Sequence, residues 1–367
     1  MPEYQLVDLT ADGSLLRAVS TEPRIGIDTE FMRERTYFAK LCLVQVSTPT
    51  EVYCADPIGT GKTGRPNKSF WDFILQPEWV LHSGRQDLEV IYQAAGKLPE
   101  TVFDTQIAAA LLGYQPQIGY GSLVNELFDV ELAKSHTRAN WSNRPISAAL
   151  LEYAAEDVKF LLPAYDSLVE KLDAAGRLEW AVQDSSDLLN TKLYKVDPDN
   201  SIHRLKGARN LRGRARTTAA GLAAWRDQEA VRRNRPRQWI MRDPVLINMA
   251  IRAPDSKETL ATIEGMSEKT MRRVGDTLLR VIADTTEDDG CYAPPASPDE
   301  QQKAALKKMQ HSVASVANDL GIATELIAPK KELSAAIFGA RDLRVFSGRR
   351  RDSVSYTHMT LPTTREV

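Results

Sequence analysis

Cysteine is scarce in this chain. Cys42, Cys54 and Cys291 are the three among 367 residues, and no two of them form a CxxC pair. That excludes a disulfide scaffold and a cysteine zinc site, and it fits a reducing compartment. Histidine is scarce as well, with five in the chain and no pair at zinc-ligand spacing. No stretch approaches the roughly 18 uninterrupted apolar residues of a membrane helix. The opening MPEYQLVDLT shows no basic region followed by an apolar run, so no secretory leader is visible and a cytoplasmic location is expected. No fixed-period repeat is present. What is there is ordinary for a globular protein: 43% hydrophobic and 26% charged residues. At roughly 150 residues per domain, the length predicts two or three domains. Collagen, coiled coil, general disorder and membrane protein are out.

The net charge of −2 hides an asymmetry. Between His203 and Arg242 stand 12 Lys or Arg against two acids, Asp227 and Glu229, so this segment carries +10 and the remainder −12. A basic block beside an acidic body suggests a polyanion partner, although a solvated helix surface has the same composition.

Residues 24–56 read as strands. Ile25, Ile27, Thr29 and Phe31 alternate along one face of a run from Arg24 to Phe31. Residues 41–46 and 52–55 follow as short β-rich runs. The Gly/Pro/Lys stretch at 57–68 reads as a loop. Residues 80–82 read as another strand, after which Ser83 is placed to cap a helix beginning near Arg85. Helical patterns cover 105–113, 120–128, 147–172 and 176–190. Residues 191–213 read as a linker, helical periodicity resumes from 216 to about 284, and 287–298 form a second break. Further helices are expected at 299–320 and 330–340. Residues 352–367 match neither pattern and are set aside as a non-native or disordered tail.

Acidic residues supply the chemistry. Asp28 and Glu30, two apart on a strand, point to one face and repel unless something positive lies between them. Both a solvated outer face and a functional site fit that pattern. In the helix around 148–162, Leu150, Tyr153, Ala154, Asp157 and Leu161 fall on one stripe. Asp157 thus occupies an apolar position, where a carboxylate costs several kcal/mol unless paired or metal-bound. Asp87 lies in the first turn of a helix, favoured there by the helix dipole in any case. Together Asp28, Glu30, Asp87 and Asp157 offer four hard oxygen ligands, which suit Mg²⁺ or Mn²⁺. Two such ions roughly 3.5–4 Å apart would clamp the attacking and leaving oxygens of a phosphodiester, with Tyr153 holding the water in line.

These residues match a known pattern. Ile27-Asp28-Thr29-Glu30-Phe31 with Arg33, Arg35, Thr36 and Tyr37 resembles the first exonuclease motif of bacterial ribonuclease D. His82-Ser-Gly-Arg-Gln-Asp87-Leu-Glu-Val resembles the second, and Tyr153-Ala-Ala-Glu-Asp157 the third, of the tyrosine type. Phe103-Asp104-Thr105-Gln106, Ser135-His-Thr-Arg138-Ala-Asn-Trp141 and Arg144-Pro145 are similar to further family signatures. The resemblance implies an α/β ribonuclease H-like 3′→5′ exonuclease domain, residues 1–195, of the DEDD type. It makes Asp28, Glu30, Asp87 and Asp157 ligands of two divalent ions, Mg²⁺ or Mn²⁺, and Tyr153 the residue that orients the water. Asp104 is the local rival for the second-motif acid and reads as a helix cap.

All-α helical domains are expected to follow. After a linker at 196–212, residues 213–286 resemble the helicase and ribonuclease D C-terminal (HRDC) domain, through Leu222-Ala-Ala-Trp225-Arg-Asp-Gln-Glu229, Asp243-Pro-Val-Leu246 and Ile263-Glu-Gly265-Met266-Ser267. Arg232, Arg233, Arg235 and Arg237 are its candidate phosphate contacts. Residues 299–351 resemble a second, divergent and truncated copy.

The implied function is a metal-dependent 3′→5′ exoribonuclease. It would release nucleoside 5′-monophosphates from tRNA precursors with 3′ extensions and other small structured RNAs, as a monomer without membrane association. A DNA 3′→5′ exonuclease and a non-cleaving nucleic-acid-binding adaptor are the alternatives. Gly59-Thr-Gly61-Lys62-Thr63 imitates a phosphate loop, but Asp56 stands where that motif needs its first glycine.

Overall fold

The computed structural model describes residues 4–8, 13–59, 68–133, 139–285, 297–341, 343–346 and 350. Residues 60–63 of the imitation phosphate loop, the signature residues 135–138, Cys291, most of the expected break at 287–298 and the tail at 352–367 lie outside them. The chain divides into two compact units: residues 1–32, 41–194 and 298–367, and residues 33–40 and 195–297.

The first unit is built on a six-stranded mixed sheet in the order β1-β4-β3-β2-β5-β6. The strands are β1 (Gln5–Asp8), β2 (Arg24–Met32), β3 (Lys40–Ser47), β4 (Val52–Asp56), β5 (Glu78–Leu81) and β6 (Val102–Asp104). β3 and β4 are antiparallel, whereas β1 with β4, β2 with β5 and β5 with β6 run parallel. The helices of its exonuclease part are α1 (Ser14–Val19), α2 (Lys68–Ile74), α3 (Arg85–Ala95), α4 (Thr105–Leu111), α5 (Tyr120–Phe128), α6 (Ala148–Lys159), α7 (Leu161–Ala174) and α8 (Leu178–Ser186). β1 and β6 escape a periodicity reading because three or four residues are too few to show alternation.

β2 is an inner strand, so its backbone is paired on both edges. Ile25, Ile27 and Thr29 are buried on one face, as the alternation predicts. The other face begins with Gly26. A Cβ there would lie 2.2 Å from Ser47 Oγ and 3.0 Å from Leu161 Cβ, so only glycine lets the start of α7 sit on the strand. The helix expected over 147–172 is therefore two helices, broken at Phe160. Pro163 lacks the N–H that the Lys159 carbonyl would otherwise receive. The Tyr120 hydroxyl also enters the ladder: it accepts from Phe160 N at 3.0 Å and donates to Glu156 O at 3.2 Å.

The segment expected as a separate domain at 299–351 belongs to this first unit. From α14 (Glu300–Leu320, preceded by α9 to α13 below), Met309, Val313, Val316 and Ala317 share one core with Phe103, Ala108, Leu111, Leu168 and Trp180. α15 (Thr324–Ile327) and α16 (Lys330–Ile337) add Ile327, Leu333 and Ala336 to it. The Arg177 guanidinium donates to Leu111 O at 2.8 Å and Leu320 O at 2.7 Å, and Arg350 forms a buried two-point pair with Asp184. Sequence similarity marks a copied module but not where its apolar face is covered.

The second unit is helical: α9 (Gly213–Arg233), α10 (Arg237–Ile240), α11 (Asp243–Arg252), α12 (Lys257–Ala261) and α13 (Glu268–Ala283). The expected linker at 196–212 is part of its core. Ile202, Leu205, Ala208 and Leu211 are buried against Leu222, Leu246, Met249 and Leu278. Charges and glycines suggest a linker, while those four apolar residues, one at every third position, fix it in place through short 3₁₀ turns at Asp199–Arg204 and Ala208–Asn210. Asp227, fully buried, accepts from Arg204 at 2.7 Å, Ser201 at 3.0 Å, Tyr37 Oη at 3.1 Å and Arg237 at 3.3 Å. Removing Asp227 would leave the buried Ser201 hydroxyl and the half-buried Tyr37 hydroxyl without their acceptor, while Arg204 and Arg237 still reach solvent. Asp227→Ala is expected to destabilise the second unit by about 1–3 kcal/mol, measured by urea denaturation. A change below about 1 kcal/mol would assign the network to the surface-pair class.

Candidate active site

The predicted acids converge. Successive residues of β2 face opposite ways, so Asp28 and Glu30 look to the α6 side while Thr29 looks to α3. Asp87, in the first turn of α3, is buried, and Thr29 Oγ1 donates to its Oδ1 at 2.5 Å. α6 starts at Ser147, whose side chain accepts from Leu150 N, and carries Tyr153 and Asp157 one turn apart on the same side. The Tyr153 hydroxyl hydrogen-bonds to Asp157, and the Tyr153 ring lies 6.4 Å from that of Trp141.

The apolar stripe of α6 differs by one position from the expected one. Leu151, Ala154, Ala155 and Val158 are buried, while Leu150, Tyr153 and Asp157 are half-buried at its edge. Ala154 alone of the expected interior positions on α6 is fully covered. Asp157 therefore borders the core, where it reaches both protein and solvent, and Glu156 beside it is half-buried too.

Electrostatics show how close the four acids are. Burial, followed by the charges of Asp87, Asp157 and Glu30, holds the Asp28 carboxyl well above the usual range. Burial, then Asp157 and Asp87, pushes Glu30 up to about 8. Burial raises Asp157 to about 7 against the opposing hydrogen bond from Tyr153, and raises Asp87 to about 6 against that from Thr29. The Tyr153 hydroxyl is pushed up by burial and by Asp157, and stays protonated.

A concentration of acids that resists ionisation demands positive charge, and an all-oxygen donor set suits a hard divalent cation. Among the described residues, no three His, Cys, Asp or Glu side chains stand as a closed ligand set. The donor chemistry fits a divalent ion, whose charge would offset the repulsion. Beside Tyr153 and Asp157 opens a cavity of about 720 Å³, walled by Tyr120, Ser122 and Asn125 of α5 and by Glu131 and Leu132.

The 3′-5′ exonuclease family model matches residues 8–173, and the HRDC domain model matches 218–282. The chain is 37% identical to ribonuclease D of Acidiphilium cryptum over 289 residues, 77% of this chain and 72% of that one. It is 33% identical to ribonuclease D of Gluconacetobacter diazotrophicus over 364 residues, 95% and 90% of the two chains. The chain belongs to the ribonuclease D family. The fold agrees: the crystal structure of Escherichia coli RNase D superposes with a TM-score of 0.84 at 30% identity, covering 96% of both chains. The ribonuclease D family is one of 3′→5′ exoribonucleases, so this chain is an enzyme of that type.

The ribonuclease D motifs contain residues whose work is visible only in three dimensions. Asp104 caps α4, as expected, accepting from Gln106 N and Ile107 N. It also accepts from Ser83 N at 3.1 Å and Gly84 N at 2.9 Å. Its carboxylate is thus bound to four backbone N–H groups, and it anchors the turn that launches α3 and Asp87. Ser83 is not the cap: its backbone is left-handed at φ 59°, and Gly84 precedes α3 without a side-chain cap. His82 lies 2.9 Å from Ile118 O through Nε2 and 2.9 Å from the Thr105 hydroxyl through Nδ1. Arg144 is structural. It meets Asp56 through two hydrogen bonds of 2.7 Å and Cys42 O at 2.7 Å, while Asp56 also accepts from Ile58 N and Gly59 N. That arrangement explains an aspartate where a phosphate loop would have glycine.

Three of the four candidate phosphate-binding arginines have carboxylate partners. Arg232 and Arg233 both pair with Glu229, Arg237 pairs with Asp227, and Arg235 lies 6.0 Å over the exposed Trp239 ring. Arg226 is buried and pairs with Asp243. A count of charges along the chain gives the sum but not the pairing, and misses that Asp227 and Glu229 here each engage two arginines.

Carboxyls raised in the folded state bind protons that the unfolded chain has released, so the folded state weakens as pH rises. In the metal-free protein, stability from Asp28, Glu30, Asp87 and Asp157 is present below about pH 4 and lost progressively up to about pH 8, the Glu30 value. Thermal unfolding in EDTA should show the melting temperature falling across that window, and Glu30→Gln should flatten its upper part. A profile rising from pH 5 to 8 in both proteins would contradict the clustering.

Proposed function

We propose that Asp28, Glu30, Asp87 and Asp157 hold two divalent ions, Mg²⁺ or Mn²⁺, and that the enzyme removes nucleoside 5′-monophosphates one at a time from RNA 3′ ends. The observation that carries this is the convergence of four buried or half-buried acids whose protons are held well above the ordinary range. When bound, such an ion pair acidifies a water and offsets the charge of the phosphodiester and of the departing 3′ oxygen. The protein supplies the rest. Asp28 and Glu30 come from an inner strand whose backbone is paired on both edges, which fixes where they start. Thr29 fixes one oxygen of Asp87, leaving the other for an ion. Tyr153, protonated and hydrogen-bonded to Asp157, presents a neutral hydroxyl that orients the attacking water. The cavity beside Tyr153 and Asp157, about 720 Å³, has room for the terminal nucleotide.

The substrate reading follows the relatives. The E. coli enzyme is described as an exoribonuclease involved in structured RNA processing. We assign this chain the same class, with 3′-extended tRNA precursors foremost. It works as a monomer in the cytoplasm; among the described residues no helix is long and apolar enough to cross a membrane. The second unit holds the RNA body, with Arg235 beside Trp239 as its leading contact and Arg232, Arg233 and Arg237 contributing only where RNA displaces their carboxylate partners.

Digestion of a 3′-extended tRNA, resolved at single nucleotides, tests this reading beside a deoxy strand of equal length. The expected result is a 3′-shortening ladder on RNA, abolished by EDTA. Asp28→Asn should slow it by about a hundredfold or more while RNA binding stays within about twofold. Equal digestion of the deoxy strand would move the substrate to DNA, and a near-normal rate for Asp28→Asn would remove that residue from the site.

A further inference from the structure

We infer that Tyr120 is a positioning residue for the reaction: its hydroxyl sets the end of the helix that carries Tyr153 and Asp157. The inference rests on the nuclease reading above.

α6 contains no glycine or proline between Ala148 and Lys159 and would continue by its own propensity. In a continuous helix Phe160 N–H would donate to Glu156 O, four residues back. Instead that N–H turns toward Val158 O and donates to Tyr120 Oη at 3.0 Å, while Tyr120 Oη donates to Glu156 O at 3.2 Å. One hydroxyl from another helix thus replaces one rung of the ladder, accepting and donating at once. An inserted side chain is a recognised cause of a helix break. Pro163 makes a break necessary, but it deprives only Lys159 O; the rung at Glu156 is opened by Tyr120. A second hydroxyl does similar work, with Ser47 Oγ donating to Val158 O at 2.8 Å. The residue between these two captured carbonyls is Asp157.

Tyr120 is itself held. Its ring meets His82 edge-on at 5.6 Å, and His82 Nε2 lies 2.9 Å from Ile118 O, two residues before it. A carbonyl can only accept, so Nε2 carries the proton in this bond. At the far end of α5, Phe128 stacks on Phe160, the broken joint itself, at 5.9 Å. α5 therefore braces the joint from both its ends. The second exonuclease motif, through His82, is linked mechanically to the third, through Tyr120. Burial keeps the Tyr120 hydroxyl protonated, as a donor to Glu156 O requires.

The consequence is steric and electrostatic. With the rung closed, the last turn of α6 tightens and Asp157 shifts relative to β2. A displacement near 1 Å in such a site costs up to about a hundredfold in rate. Tyr120 lies on the wall of the cavity but need not touch the scissile group to act.

The test is Tyr120→Phe in the full chain, which keeps the ring and removes the hydroxyl. We expect kcat on a 3′-single-stranded RNA to fall by about tenfold to a hundredfold, with KM changed by less than about twofold. Mn²⁺ affinity by calorimetry should weaken by about tenfold, as for an outer residue that orients a ligand. A crystal structure of the variant should show Phe160 N within hydrogen-bond distance of Glu156 O. If Tyr120→Phe does not fold, Ser47→Ala reads the same joint and should lower kcat and Mn²⁺ affinity together at unchanged KM. Parent-like kcat and Mn²⁺ binding in the folded variant would overturn the inference while leaving the nuclease reading intact. A parent enzyme that cleaves neither RNA nor DNA would instead sink that reading, and this one with it.

Discussion

Mutual repulsion among four carboxylates is the constraint on which the rest of the first unit depends. Asp28, Glu30, Asp87 and Asp157 come from one strand and two helices, and each disfavours ionisation of the others or is itself disfavoured by burial. No fold keeps such a group together for its own stability. The surrounding structure holds it: a paired inner strand, a glycine that admits α7, a hydroxyl on Asp87, and two more hydroxyls on the end of α6. Apolar packing against Ile25, Ile27, Leu151, Ala154 and Val158 offsets the strain.

Those acids are legible in the sequence because each breaks a local rule or completes a spacing. Asp28 and Glu30 share a face that like charges avoid, and Asp157 interrupts an apolar stripe. Their order and spacing, with Asp87 among them, match a known family. The buried stripe lies one position away from the expected one, since the sequence alone does not say which flank of α6 meets the sheet. Asp157 borders the core, where it reaches both protein and solvent.

What stays hidden has a common physical character. Thr29, Ser47, Tyr120 and the second role of Asp104 act through hydrogen bonds to groups 20 to 111 residues away in the chain. None violates its own local pattern: a threonine in a strand, a serine at a strand end and a tyrosine opening a helix are all ordinary. Gly26 shares the face of Asp28 and Glu30, but its reason lies in Ser47 and Leu161. Likewise the basic run near α9 is legible as charge, while a charge count does not reveal that Asp227, Glu229 and Asp243 bind so many of its arginines. The packing of the segments at 196–212 and 299–351 is hidden for the same reason. Buried apolar residues at 202–211 and 309–317 are defined by what covers them.

The central claim is that this acid cluster is a proton-binding site in competition with a divalent cation. Calorimetric titration of the metal-free protein with Mn²⁺, in buffers of different ionisation enthalpy, tests it most directly. The account predicts protons released on binding near pH 6, and tighter binding at pH 8, where Asp157 and Glu30 are giving up theirs. Mn²⁺ binding with no proton release and no pH dependence, or no binding at all, would contradict it.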